Sequence, residues 1–486
     1  MIGTLLRRAL FGVGPVAACR AMLRRARNRR SARTLEPPET RSQRCRMNSR
    51  WLFLFLSVAA GGCAHYSPLA LPHGDGLASA ASQLAGGPGH LPLTVQDVTV
   101  LALENNPELR ATRAQRGVAQ AQLLQAGLLP NPSVTGSILP LAAGPGTTFA
   151  WNAGLSTDVT ALVTLSARRR SARASARHVD AQIAWQEWQM VGQARLLAID
   201  VIEGDKILAL LRRQSALLDG RVERSRRAVA AGDATLTTLA PDVAAQQAAR
   251  VQLQDQERQQ LAKRHQLAAL LNLAPDAKLP LAAEPDLPAL DLAAARAALP
   301  TLADRRPDLV ALRLGYAAHD EKVRAAILAQ FPKLTFGVTG GRDNTNVRNV
   351  GPQITLELPL FDRNQGNIAI ERATRQQLHD EYAARLAASV GQVEAAASEI
   401  QQLRAQLARA ERERASTARM ARSAESALAQ GGIDERSYVD LATTDIAKEV
   451  QIATLRQALL EQEVAIETNI GAGMPTVTWQ PEEVRS

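Results

Sequence analysis

Two uninterrupted helical stretches, roughly 160–230 and 363–429, most constrain what this chain can fold into. Neither contains a proline, and both are rich in Ala, Gln, Leu and Arg with charges of both signs. At 1.5 Å per residue each is a rod of about 100 Å. No globular core needs helices of that length. A glycine ends each rod, Gly232 after the first and Gly431 after the second, followed by a further helical run (235–271 and 434–470). Glycine closes a helix in the left-handed conformation without steric cost. Each rod therefore doubles back as an antiparallel hairpin, with Asp233 or Asp434 available to cap the returning helix.

The two hairpins belong to a tandem repeat of about 200 residues. Pro107-Glu108-Leu109 matches Pro307-Asp308-Leu309, and Leu129-Pro130 matches Phe331-Pro332. Ala231-Gly232 matches Gln430-Gly431, and the helix ends near 269–273 and 467–472 correspond. Matches in one order at spacings of 200, 202 and 199 indicate a duplication. Each half reads as helix, two strands, long helix, break, helix. The short helices span 107–128 and 307–329, and the strands span 132–139, 148–158, 333–340 and 352–359. The first long helix has Thr157-Asp158-Val159 before it where the second has Pro359-Leu360-Phe361, so the two begin differently.

The strands alternate. Leu334, Phe336 and Val338 share one face, against Thr335 and Thr339. Ile354, Leu356 and Leu358 oppose Thr355 and Glu357. Trp151, Ala153 and Leu155 oppose Asn152, Gly154 and Ser156. Such alternation fits a half-buried sheet of a soluble protein. It equally fits a membrane barrel wall with apolar residues toward lipid and small polar ones toward water. Four strands cannot close a barrel, so the second reading requires several chains.

Charge locates the exported part. The 486-residue chain carries a net +10, but residues 1–46 hold twelve Arg against Glu36 and Glu39 and account for all of it. From Met47 onward basic and acidic residues balance, which removes the case for a nucleic-acid binder. Residues 1–46 read as a non-native upstream extension. Met47 opens a second start, with Arg50, the apolar run Trp51–Ala60 and Gly61-Gly62 leading into Cys63. A mainly apolar stretch of ten residues is too short to span a bilayer and matches a secretory signal. The stretch 47–62 resembles a bacterial lipoprotein signal in which Cys63 is lipidated. Ala64 after it suits outer-membrane sorting. Residues 63–92, rich in Gly, Pro, Ser and Ala, read as a flexible tether. Thr94-Val95-Gln96-Asp97 then opens a helix as a capping box.

The domain plan is a first repeat over 93–274, a Pro-rich connector over 275–300, a second repeat over 301–473 and a tail over 474–486. Three Cys and seven scattered His make no metal-ligand set, and no H-E-x-x-H, G-x-S-x-G or Walker-type loop occurs, so no enzyme and no cofactor is expected.

These features together resemble the outer-membrane efflux protein (TolC) family. The strongest local matches are Ala102-Leu103-Glu104-Asn105-Asn106-Pro107-Glu108-Leu109, Leu129-Pro130-Asn131-Pro132 and Arg306-Pro307-Asp308-Leu309. Pro359-Leu360-Phe361-Asp362-Arg363-Asn364-Gln365-Gly366 is more similar to the cation-efflux (CzcC-like) branch than to the drug-efflux branch. The resemblance implies a mainly α fold with a small β part. The protomer would supply long helices to an α-barrel and four strands to a twelve-stranded transmembrane β-barrel in a homotrimer. Thr335, Thr339, Thr355 and Glu357 would line the barrel lumen. The tips, at Gly232, Asp233 and Leu236 and at Gly431, Ile433, Asp434 and Arg436, would meet a periplasmic adaptor (membrane fusion) protein. Asp440, nine residues after Gly431, would gate the constriction. The implied role is passive conduction of metal cations or small toxic compounds from an inner-membrane pump of the RND type to the exterior, with the chain anchored in outer-membrane lipid. The other expectation is a structural periplasmic coiled-coil lipoprotein without a channel.

Overall fold

A computed structural model describes residues 66–87 and 89–473. Cys63, the leader 47–62 and the tail 474–486 lie outside the described residues. Residues 66–76 carry no helix or strand, are exposed and belong to a separate unit from the body that begins at Leu77.

In the body the elements run α1 (Val95–Asn105), α2 (Pro107–Ala126), β1 (Ser133–Leu139), β2 (Ala150–Asp158), α3 (Thr160–Ala231) and α4 (Leu236–Leu270). The short helices α5 (Leu292–Ala297) and α6 (Leu302–Arg305) fill the connector and the start of the second repeat. That repeat continues with α7 (Pro307–Leu328), β3 (Lys333–Arg342), β4 (Arg348–Glu357), α8 (Gln365–Ala429) and α9 (Glu435–Ile470). The long helices α3 and α8 have 72 and 65 residues, as their unbroken patterns predict.

Local chemistry sets the helix starts. Thr94 accepts from the Asp97 amide while the Asp97 carboxylate accepts from the Thr94 amide, a reciprocal cap on α1. Pro107 and Pro307 occupy first-turn positions, where a missing N–H is harmless. The unlike starts of the long helices follow their sequences. Asp158 accepts from the Ala161 amide at 3.1 Å as α3 begins directly after β2. A turn with Asn364 at φ +61° precedes α8.

The duplication persists in the packing. Ala194, Ala198 and Val201 of α3 meet Leu267 and Leu271 in the first apolar core. Val393, Ala397, Ile400, Ile466 and Ile470, each 199 positions further on, form the second. Each core ties a helix start to the end of its own hairpin. Asn106 donates to the Leu270 carbonyl at 3.0 Å, and Arg306 donates to the Asn469 carbonyl at 3.2 Å. Arg306 also pairs with Asp308 and lies 4.8 Å from the Trp185 ring centroid.

Two expectations are corrected. The tether does not extend to residue 92. Ala81, Leu84 and Leu93 are buried in the first core, and Ala78 exchanges backbone hydrogen bonds with Asn272 and Ala274. Apolar side chains that reach a core order the segment despite its Gly and Pro content. The second correction is β4, which runs over Arg348–Glu357 and not 352–359. The Asp343 carboxylate accepts from the amides of Thr345 and Val347 at 2.9 and 2.8 Å, which makes a short turn and lets the strand restart early. Pro352 then lies in the outermost strand, where an absent donor is tolerated.

Candidate functional site

Two regions carry the unusual chemistry, the sheet and the hairpin tips. The four strands form one antiparallel sheet in the order β1-β2-β3-β4, so the repeats join through β2 and β3. The register sorts every alternation onto the same two faces. Val134 lies opposite Leu155, Leu155 opposite Val338, Phe336 opposite Ile354 and Leu334 opposite Leu356. On the other face Thr135 is opposite Gly154, Gly154 opposite Thr339, Thr335 opposite Thr355 and Lys333 opposite Glu357. Small hydroxyls and amides on this face bond one another: Ser133 with Ser156 at 2.8 Å, and Thr339 to Asn152 at 2.8 Å.

Solvent exposure separates the two explanations of the alternation. A sheet of a soluble protein hides its apolar face under another layer. Here that face is open, with Val134 79% and Ile354 67% exposed. Leu155, Phe336 and Val338 are exposed as well. A contiguous apolar face across four strands needs a non-aqueous surrounding or a partner. The four residues expected on the lumen side, Thr335, Thr339, Thr355 and Glu357, all fall on the opposite, polar face. Among the described residues no helix is long and apolar enough to cross a membrane.

At the tips, Gly232 and Gly431 adopt φ of +80° and +72°. The amides of Asp233 and Gly432 close the preceding helices on the carbonyls of Ala228 and Ala427 at 2.9 and 2.7 Å. Asp434 caps α9, accepting from the Ser437 amide at 2.7 Å, and hydrogen bonds from Ser437 hold its carboxyl below the ordinary value. Asp233 caps nothing. Thr235 takes the N-cap position of α4 instead, its hydroxyl bonded to those of Thr237 and Thr238. Leu236 is exposed and Ile433 is half-buried.

Arg436 and Asp440 are not isolated surface charges. They join a network centred on Asp242, which the sequence reading missed. Arg221 of α3 donates to Asp242 of α4 at 2.8 Å from Nε and 2.6 Å from Nη2. Arg436 of α9 reaches the same carboxylate at 2.8 Å, and Ser225 donates to its other oxygen at 2.6 Å. Arg221 also holds Asp440 at 2.5 Å, and Arg224 pairs with Glu435. The Asp242 side chain has no solvent exposure, whereas Asp440 is 62% exposed. Burial pushes the Asp242 carboxyl up, but the Ser225 hydrogen bond and the guanidiniums of Arg221 and Arg436 outweigh it and hold it below the usual range. One buried carboxylate thus ties the tip of the first hairpin to that of the second. The signal was present in the sequence, since Arg221 and Asp242 lie eleven and ten residues on either side of Gly232. An antiparallel hairpin brings such positions together.

Halfway along the rods a second acidic site bridges α3, α4 and α9. Asp200, buried in α3, is paired with Lys263 at 2.6 Å and accepts from Gln457 at 2.9 Å. Glu461, one turn beyond Gln457, is pushed up to about 7 by burial and by sharing the site with Asp200, against the opposing pull of Gln457 and Lys263.

The comparisons with known proteins agree with this geometry. The family model for outer membrane efflux protein matches residues 298–472, the second repeat. Over that repeat the chain is similar to the outer membrane efflux protein family. Comparison with the curated proteins gives no match. Among solved structures, the CmeC outer membrane channel of Campylobacter jejuni is similar at a TM-score of 0.65 with 15% identity, covering 85% of this chain and 95% of that one. The MtrE outer membrane channel of Neisseria gonorrhoeae gives 0.60 with 18% identity, covering 79% and 91%. CusC, described for the conformational changes of its folding and transmembrane channel formation, gives 0.61 with 18% identity, covering 84% and 100%. The fold of these structures therefore extends over both repeats, including the first, which the family model does not reach. A rod without a channel has no use for the four-stranded sheet.

Proposed function

We propose that this chain is one subunit of a homotrimeric outer membrane channel, the exit duct of a tripartite efflux system. The observation that carries the reading is the two-faced sheet, open on its apolar side and bounded by β1 and β4, which pair with no further strand among the described residues. Three copies supply twelve strands and remove all edges, as a membrane requires. Lipid then faces Val134, Leu155, Val338 and Ile354, and water faces Thr335, Thr339, Thr355 and Glu357. The lumen face is lined mainly by hydroxyls, amides and glycines, with Lys333 and Glu357 paired to each other at 3.5 Å, which suits passage of small solutes (metal cations or small toxic compounds) without tight binding.

The rods carry the duct across the periplasm. The tips around Gly232 with Asp233 and Leu236, and Gly431 with Ile433, Asp434 and Arg436, meet a periplasmic adaptor (membrane fusion) protein, and an inner-membrane pump of the RND type supplies the energy. Asp440, held by Arg221 at the tip, gates the constriction. Cys63 carries the lipid anchor.

The test is reconstitution of the purified chain in planar bilayers, with native mass measurement. A trimer with stepwise conductance is expected. A monomer without conductance overturns the reading. Cys63→Ser removes the lipid mass increment, and continued acylation of that variant would refute the anchor.

A further inference from the structure

At the end of the sheet away from the helices, the outward row reads Ile138, Trp151, Arg342 and Arg348 across the four strands. Arg342 and Arg348 are direct cross-strand partners. Like charges in that position repel and destabilise a sheet unless something neutralises them. Their parity places both on the apolar face, in line with Val338 and Val350, not on the polar one. No carboxylate pairs with either among the described residues. The nearest acid in sequence, Asp343, is committed to the Thr345 and Val347 amides of the β3–β4 turn. Arg342 is pre-oriented: its guanidinium lies 5.0 Å from the Phe149 ring centroid and donates to the Phe149 carbonyl at 3.3 Å. Its Nε is buried without a hydrogen-bond partner. A guanidinium held in place by an aromatic ring and a backbone carbonyl, with a second arginine opposite and no carboxylate on either among the described residues, is suited to charge-assisted recognition of a phosphate.

We propose that Arg342 and Arg348 form a binding site for the phosphate of an anionic lipid in the outer leaflet of the membrane that surrounds the sheet. This rests on the channel reading, which makes this end of the sheet the external one. The apolar surface around the two arginines, Trp151 in the same row with Val350 and Val338 in the rows beneath, accommodates acyl chains, so the site matches a molecule that is phosphate at one end and hydrocarbon below. A free anion would make no use of that surface.

The experiment uses the full chain purified as the trimer in detergent, with bound lipid read by native mass spectrometry. The probes are bisphosphorylated lipid A, its dephosphorylated counterpart and inorganic phosphate. The wild type is expected to retain the bisphosphorylated lipid about tenfold more tightly than R342Q/R348Q, consistent with the loss of charge-assisted hydrogen bonds. The two proteins should hold the dephosphorylated lipid equally. R342K/R348K, which keeps the charge, should retain an intermediate amount, and added salt should weaken wild-type retention. Equal retention by wild type and R342Q/R348Q overturns the proposal, as does salt-insensitive wild-type binding if the Gln variant fails to assemble. Full displacement by inorganic phosphate at equal concentration overturns the lipid assignment. A trimer that conducts yet shows no phosphate preference sinks this site alone. A chain that does not conduct sinks the reading beneath it.

Discussion

Arg221 and Asp242 face each other across the first hairpin, joined through two guanidinium nitrogens at 2.8 and 2.6 Å, with the carboxylate wholly out of solvent. Removing one partner of a buried ion pair leaves the other charge uncompensated. Asp242→Ala should therefore destabilise the protein by about 3–5 kcal/mol, leaving Arg221 and Arg436 without their shared acceptor. Asp440→Ala, at the exposed end of the same network, should cost less than about 1 kcal/mol. Thermal melts of the two variants against wild type check the contrast, and equal losses would show that the network is not anchored on Asp242.

The same pair of variants separates stability from gating. Asp440→Ala should raise leak conductance in planar bilayers while its melting temperature barely moves. An unchanged conductance would leave Asp440 as an ordinary partner of Arg221 with no gate role.

The two faces of β3 make opposite predictions for adjacent residues. Val338→Arg places a charge on the apolar face and should cost about 2–4 kcal/mol if that position lies near the bilayer midplane. Measured as trimer inserted into vesicles, it should fall sharply. Thr339→Arg, one residue on, points to the polar face. It should assemble normally and shift the reversal potential toward anion selectivity. Assembly lost in both variants, or in neither, contradicts a lipid face opposed to a water face.

Acid titration should distinguish the two carboxylate sites. Glu461 is raised to about 7 by burial and by Asp200, so between its unfolded value near 4.5 and about 7 the folded chain holds a proton that the unfolded chain has released. Stability from this site falls as pH rises through that window. The wild type should melt at a lower temperature at pH 8 than at pH 5 by an increment that Glu461→Gln removes. Asp242 works in the other direction. Its lowered carboxyl stabilises the fold above the ordinary Asp range, and that contribution is lost as pH falls below it. Asp242→Asn should blunt the acid limb and leave the neutral one alone. A Glu461→Gln profile parallel to wild type between pH 5 and 8 would remove Glu461 as the source.

Much of the fold was legible because it is written in local chemistry. The helices at 107, 307 and 435 begin where Pro, Asn and Asp place them, and the hairpins end where glycine allows a positive φ. The β2–β3 pairing was not legible. It joins strands from different repeats, and neither strand carries a local mark of its partner. The early start of β4 turned on a single side chain, Asp343, accepting two amides. The tip network escaped for a different reason. Comparing the repeats directs attention to what they share, but 199 residues beyond Arg221 and Asp242 stand Met420 and Leu441. These charges occur once, so the duplication conceals them.

The β2–β3 register sets Ser156 against Gly337, nearly two hundred residues apart in the chain. Closing so long a loop carries an entropic penalty that must be met before the strands reward it, so non-local pairings form late. The hairpins β1–β2 and β3–β4 can form from neighbouring sequence, but their union waits until α3 and α4 have folded back on each other. The helical body is therefore expected to precede the continuous apolar face in time. An exported chain built this way crosses an aqueous compartment with its most insoluble surface still in pieces, and completes that surface last.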